Sequence, residues 1–177
     1  MLLVDGHSMA YRAFYSHPVE NFSTTTGQPT NAVYGFTSMM IKVLTDETPT
    51  HIAVAFDVSR TTFRSAIFAD YKANRTKTPD DFRGQVSLIK EVLAALRITA
   101  IEVDGYEADD VIATLATEAT EVGMQVLICT GDRDALQLVN PLVTVLYPHR
   151  GVTGMTRFTP GEVEAKYGLT PAQYPDF

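Results

Sequence analysis

Residues 126–134 read Val-Leu-Ile-Cys-Thr-Gly-Asp-Arg-Asp, four apolar residues followed by a turn that delivers two carboxylates, Asp132 and Asp134. A run this short, closed by Thr-Gly-Asp, reads as a buried strand. The same ending recurs along the chain. Asp5 follows Leu2-Leu3-Val4, Asp57 follows the run from Ile52 to Phe56, and Glu107, Asp109 and Asp110 open a helical run. If the apolar runs are neighbouring parallel strands, their carboxyl ends line the crevice where open α/β sheets bind ligands. The seven acids then converge on one site.

Working outward, short apolar runs alternate with longer amphipathic ones, the signature of βαβ units. Strands are predicted over 2–4, 52–56, 98–103, 126–129 and 142–146. Helices are predicted over 31–45, 83–96, 108–122, 134–139 and 160–167. Val33, Phe36, Met40, Val43 and Leu44 recur at helical spacing, as do Val111, Ile112, Leu115, Ala116 and Ala119; both stripes read as core. Thr159-Pro160 followed by Glu162 marks a helix start and Gly168 its stop. Residues 16–30 and 68–82 lack an apolar period, and loops that long within a compact domain are usually functional. The expectation is a single α/β domain over 1–177, with a mixed, largely parallel central sheet flanked by helices.

Composition narrows the classes. A length of 177 residues with 45% hydrophobic content suits one soluble domain with a sizeable core. The amino-terminal apolar run meets Asp5 too soon for a signal peptide or membrane span, so a cytoplasmic location and no membrane partner are expected. The single Cys129 lies inside an apolar run, as a buried strand residue would, and His7, His17, His51 and His149 have no metal-ligand spacing. The net charge of −7 is local: without the seven acids, the 21 Asp and Glu fall to 14, matching the 14 Lys and Arg. Between Arg60 and Arg97 basic residues outnumber acids, which makes that segment the candidate phosphate-contacting surface.

Two like charges about 4 Å apart repel by roughly 1 kcal/mol in water and roughly 4 kcal/mol at a protein-like dielectric. A cluster of seven must therefore be protonated, solvated or neutralised by cations. Oxygen donors without a His or Cys set suit Mg2+ or Mn2+ and argue against zinc. Acids also serve as turn formers and caps at such positions, a reading that stays open for any one of them. Glu107 and Asp109 would project about 200° apart on a regular helix, so the helix must begin there for both to face one site. Gly131 permits an unusual backbone turn that lets Asp132 leave the strand before Asp134 opens a short helix. Two divalent ions roughly 4 Å apart can clamp a phosphodiester, activating water on one side and stabilising the leaving oxygen on the other. Arg64 and Lys72 could reach a phosphate across the same rim.

Five ordered motifs then carry a resemblance. They are Leu-Val-Asp-Gly-His-Ser-Met-Ala-Tyr-Arg-Ala-Phe-Tyr (3–15), Ala-Phe-Asp (55–57) with Thr-Phe-Arg (62–64), Tyr-Lys-Ala-Asn-Arg (71–75), Tyr-Glu-Ala-Asp-Asp (106–110) and Thr-Gly-Asp-Arg-Asp (130–134). Together they resemble the 5′ nuclease (5′-3′ exonuclease) domain of bacterial DNA polymerase I, within the flap endonuclease family. The resemblance implies a PIN-like 5′ nuclease fold with a flexible arch at about 68–82, acting on DNA with 5′ flaps or single-stranded 5′ ends. It implies Asp5, Asp57, Glu107 and Asp109 at a first Mg2+ or Mn2+ ion, with Asp110 beside them, and Asp132 and Asp134 at a second. Arg64 and Lys72 correspond to basic residues that engage the scissile phosphate. Tyr71, Arg75, Lys77 and Arg83 belong to the arch and its flank, and Tyr11, Arg12 and Phe14 to the substrate path, with core roles for the aromatics and carboxylate orientation by Arg12 as alternatives. The family continues into further second-metal carboxylates and a helix-three-turn-helix module, so two ions are expected in a full-length parent, possible polymerase fusion included, and a weak second ion here. Rival readings are a PIN-like ribonuclease, a haloacid-dehalogenase-type phosphatase, which would want an Asp where His7 stands, and a DNA- and metal-binding fragment without turnover.

Overall fold

Leu2–Asp5 forms β1 in the interior of a six-stranded sheet, in a computed structural model that describes residues 1–58, 62–68, 79–149 and 154–176. The other strands are β2 (Ile52–Phe56), β3 (Thr99–Glu102), β4 (Val126–Cys129), β5 (Val143–Pro148) and β6 (Met155–Phe158), in the order β3-β2-β1-β4-β5-β6. All neighbours are parallel except β5 and β6. Val4 lies level with Val54 on one side and Cys129 on the other, which brings the ends of β1, β2 and β4 to one rim.

Side-chain alternation explains why the runs are apolar throughout. Leu2, Val4, Val54 and Phe56 face one layer of helices, α1 (Gly6–Ser16), α2 (Asn31–Glu47) and α4 (Asp80–Ala95), whereas Leu3, Ala55 and Ile128 face α5 (Ala108–Glu121) and α6 (Pro160–Tyr167). Each fully buried large apolar side chain contributes roughly 1.5–3 kcal/mol. Gln85 ties the first layer together: its side-chain oxygen accepts from Ala32 N–H at 2.7 Å and its amide donates to Asn31 at 2.8 Å. Thr30 makes no side-chain cap, so Gln85 caps α2 from outside the helix.

The predicted strands are present, β2 and β4 with the expected bounds and β1, β3 and β5 with shifted ends, and the structure adds elements that were not expected. Helix α1 was not expected because its buried face is Gly6, Met9, Ala10 and Ala13, mostly residues too small to register as an apolar stripe. Gly6 has no alternative, since a Cβ there would strike the Phe56 ring. Strand β6 is another addition; four residues with one buried side chain give too little pattern to read. Helix α4 starts at Asp80, three residues earlier than predicted, so residues 80–82 of the expected arch are helical, and 69–78 lie outside the described residues. A short helix α3 (Phe63–Ile67) precedes that segment. Residues 134–138 form a 3-10 turn instead of an α-helix, and 16–30 contains a second such turn, Val19–Asn21. The α6 cap is as expected, with Thr159 accepting from Glu162 N–H and Gly168 at φ 71.

Candidate active site

At the carboxyl ends of β1 and β4 the chain leaves toward opposite faces of the sheet. After β1 it enters α1, which packs with α2; after β4 it enters the 134–138 turn, whose Leu136 is buried beside α5. That divergence is the topological switch point, where a crevice opens in doubly wound sheets. Asp5 sits in it with 5% of its surface exposed, as the cap of α1, accepting Ser8 N–H at 2.9 Å and the Thr130 hydroxyl at 2.8 Å. Desolvation pushes its carboxyl up to about 6; the two hydrogen bonds oppose this, and the nearby Asp57 and Asp132 add to it.

Asp57 follows β2 directly and accepts Ala108 N–H, at the start of α5, at 2.7 Å. Its own N–H donates to His7 Nδ1 at 3.2 Å. Burial pushes the His7 imidazole down despite the Asp57 charge beside it. Glu107 is the N-cap of α5, placing Asp109 and Asp110 in the first turn as the spacing required. Glu107 and Asp110 cap each other, with Glu107 N–H donating to Asp110 at 3.0 Å. Arg64 closes on this group through a fork of 2.7 and 2.6 Å to the two Asp110 oxygens and stands 3.6 Å from Glu107. Its guanidinium lies over the Phe63 ring. Asp110, expected at the metal, thus has both oxygens engaged by Arg64.

Asp132 and Asp134 leave the end of β4 on the 130–134 turn, where Asp132 accepts Asp134 N–H at 3.0 Å. Gly131 does not take the expected unusual backbone turn, because its φ is not positive. It is needed for close approach: its N–H donates to Ser8 Oγ at 2.9 Å, and a Cβ would stand 2.9 Å from that oxygen. Ser8 and Thr130 were missed as site residues, although both lie inside the quoted motifs. Their signal is position, one turn after the β1 acid and one residue after β4.

Five carboxylate positions, Asp5, Asp57, Glu107, Asp132 and Asp134, therefore come from the ends of three adjacent strands and the start of α5. Among the described residues, no three His, Cys, Asp or Glu side chains already stand close enough to hold an ion. Asp5, Asp57, Glu107 and Asp132 instead accept N–H or O–H donors. Asp109 is exposed on the first turn of α5. Tyr11 is exposed and rests edge-on against Phe82 and Tyr15, while Phe14 is half-buried on the core. The Nε of Arg12 is buried with no hydrogen-bond partner among the described residues, so the carboxylate-orienting alternative finds no support there. Arg83 is exposed near Asp80. Tyr71, Lys72, Arg75 and Lys77 lie outside the described residues. Cys129 is buried beside Met9 and Met155, and burial pushes its thiol up to about 12, so it is inert.

A doubly wound sheet with carboxylates at its switch point is a setting for hydrolytic chemistry on divalent cations. Residues 1–168 match the model of the 5′-3′ exonuclease, N-terminal resolvase-like domain, and the chain belongs to that family. It is 63% identical over all of its length to DNA polymerase I of Mycobacterium tuberculosis, and 48% identical over 99% of its length to that of Bacillus caldotenax. The chain spans about a fifth (20%) of the length of each of these relatives. Among solved structures, the T5 D15 protein co-crystallised with metal ions gives a TM-score of 0.77 at 16% identity, covering 98% of this chain and 63% of that one. The catalytic core of Rad2 with DNA substrate gives 0.52 at 16% identity, covering 98% and 51%. These likenesses agree on the fold. No helix of the described residues is long and apolar enough to cross a membrane.

Proposed function

We propose that the chain is one 5′ nuclease catalytic domain that hydrolyses phosphodiesters at 5′ flaps and 5′ ends of DNA with divalent ions. The observation that carries this is Asp5, a nearly buried carboxylate at the switch point with only neutral donors around it and two further acids nearby. Such a site lacks positive charge, and an all-oxygen donor set supplies it best through Mg2+ or Mn2+. Asp5, Asp57, Glu107 and Asp109 would hold the first ion; Asp132 and Asp134 would contribute to a second. Metal held by these residues would supply water activation and charge neutralisation at the phosphate. The T5 D15 protein was co-crystallised with metal ions, and a substituted form of this T5 D15 flap endonuclease was solved with DNA and metal ions, which supports the reading. DNA polymerase I relatives support a polymerase-linked parent.

In this reading the protein's groups divide the work. Ser8 N–H, Thr130 and Ala108 N–H aim the carboxylates. Arg64, oriented by Asp110 and Glu107, stands beside the acids to bind a phosphate oxygen. Family resemblance gives Lys72 the same task and gives Tyr71, Arg75, Lys77 and Arg83, with Tyr11 and Arg12, to the DNA strand. Phe14 supports the substrate face from the core. Cleavage of a 5′-flapped duplex against matched RNA, with Mg2+ or Mn2+ added to metal-free protein, tests the proposal. Metal-dependent DNA cleavage is expected; DNA binding without turnover would favour a binding fragment, and preference for RNA a PIN-like ribonuclease.

A further inference from the structure

Thr130 is 1% exposed, and its hydroxyl makes two bonds of different sense. It gives its only proton to Asp5 Oδ2 at 2.8 Å and accepts the Asp132 N–H at 3.0 Å. Asp132 in turn accepts Asp134 N–H at 3.0 Å. One bonded path therefore runs from the β1 carboxylate, across the strand gap, to both acids of the 130–134 turn. A second tether holds the same turn, because Gly131 N–H donates to Ser8 Oγ at 2.9 Å while Ser8 N–H holds the other Asp5 oxygen at 2.9 Å. Each Asp5 oxygen accepts one described donor and keeps a lone pair for a cation.

We infer that Thr130 is a positioning residue that couples ion binding at Asp5 to the geometry of the turn bearing Asp132 and Asp134. This rests on the metal reading above. An ion that fixes Asp5 fixes the acceptor of the Thr130 proton, and with it the direction in which the oxygen presents its lone pairs to Asp132 N–H. By reciprocity, ordering of the turn favours the ion at Asp5. The hydroxyl is the needed part and the methyl is not.

Amide exchange of Asp132, read by NMR during Mg2+ titration of the whole chain, tests the coupling without requiring turnover. In the wild type, saturating Mg2+ is expected to slow exchange at Asp132 by about tenfold or more. Thr130→Val should bind Mg2+ within about tenfold of wild type, the loss that a tenfold reciprocal coupling allows, yet slow Asp132 less than twofold; Thr130→Ser should keep the response. A full response in Thr130→Val, or equal loss in Thr130→Ser, overturns the inference while leaving the metal reading intact. A loss of Mg2+ affinity beyond tenfold in Thr130→Val also overturns it, since the hydroxyl would then serve Asp5 alone. If Thr130→Val does not fold, Ser8→Ala decides: Gly131 should exchange faster while Asp132 keeps its Mg2+ response, and loss of that response refutes the path through Thr130. Wild type that takes up no Mg2+ defeats the metal reading itself.

Discussion

The β1–β4 junction and the start of α5 meet the same electrostatic problem in opposite ways. At α5, three acids in four residues have Arg64 forked onto Asp110, the helix N-terminus behind them and a reciprocal cap between Glu107 and Asp110. That group brings its own positive charge. At the junction, Asp5 is more deeply buried and has only a backbone N–H and a hydroxyl, so its carboxyl is pushed up to about 6. One region carries a cation of its own on Asp110, and the other has none at Asp5. The difference teaches where an ion should act on stability as well as on chemistry.

The largest effect expected from this contrast is on cleavage. Asp57→Asn removes a charge from the cation-poor side while keeping an oxygen that can accept Ala108 N–H, so the fold should be nearly unchanged. Flap cleavage should fall by roughly a hundredfold or more, because a lost ligand weakens water activation and charge stabilisation together. Wild-type rates from this variant at saturating Mg2+ would remove Asp57 from the site.

How much of this contrast the sequence carries depends on the kind of signal. The acids at strand ends were legible because apolar runs buried on both faces leave few polar letters, and those letters fall at the ends. The α5 start was legible too: Glu107 and Asp109 cannot face one site unless a helix begins there. What could not be read was pairing across strands. Nothing local says that Thr130 reaches Asp5 or that Arg64 forks onto Asp110, since these contacts span 125 and 46 residues. Helix α1 was hidden for another reason, a packing face of Gly6, Ala10 and Ala13 that gains its burial from close approach instead of bulk.

Stability should sharpen the comparison by changing sign between the two regions. In metal-free protein, the folded pKa of Asp5 lies above its ordinary 3.8, at about 6. The folded state therefore holds the proton more tightly than the unfolded chain; the resulting stability is present below about pH 4 and is lost as pH rises through about 6. Asp5→Asn should remove that pH dependence and stabilise metal-free protein at pH 7 by about 1–3 kcal/mol, the upper figure being the full shift and the lower allowing for an imperfect amide partner to Thr130. Asp110→Asn should instead destabilise by about 1–3 kcal/mol, since it leaves the part-buried Arg64 with half of its charge-assisted fork. Urea unfolding in chelator from pH 4.5 to 8 measures both. In wild type, Mg2+ at a hundred times its Kd should add about 2.7 kcal/mol, an increment that Asp5→Asn should largely abolish. Equal signs for the two variants would collapse the distinction between the regions.

Arg83 supplies the smallest and most discriminating case. Like Arg64 it is a guanidinium near an acid on the basic segment, but its contact with Asp80 is 3.9 Å long, one turn apart on α4, with both side chains more than half exposed. Exposed pairs of this kind contribute about 0.2–1 kcal/mol at most, and the looser geometry favours the lower end. Arg83→Ala should therefore change unfolding free energy by no more than about 0.5 kcal/mol and leave the turnover of bound DNA unaltered. If Arg83 touches a phosphate, the slope of log affinity against log salt should flatten by up to about one unit. Arg64→Ala should differ in kind, lowering turnover and also destabilising the α5 start, because its charge neutralises acids that are partly shielded from water. Fluorescence anisotropy of a flapped duplex across a salt series, beside single-turnover cleavage, separates the two. A turnover defect in Arg83→Ala as deep as that in Arg64→Ala would show that proximity to the acid cluster does not decide which cations serve the chemistry.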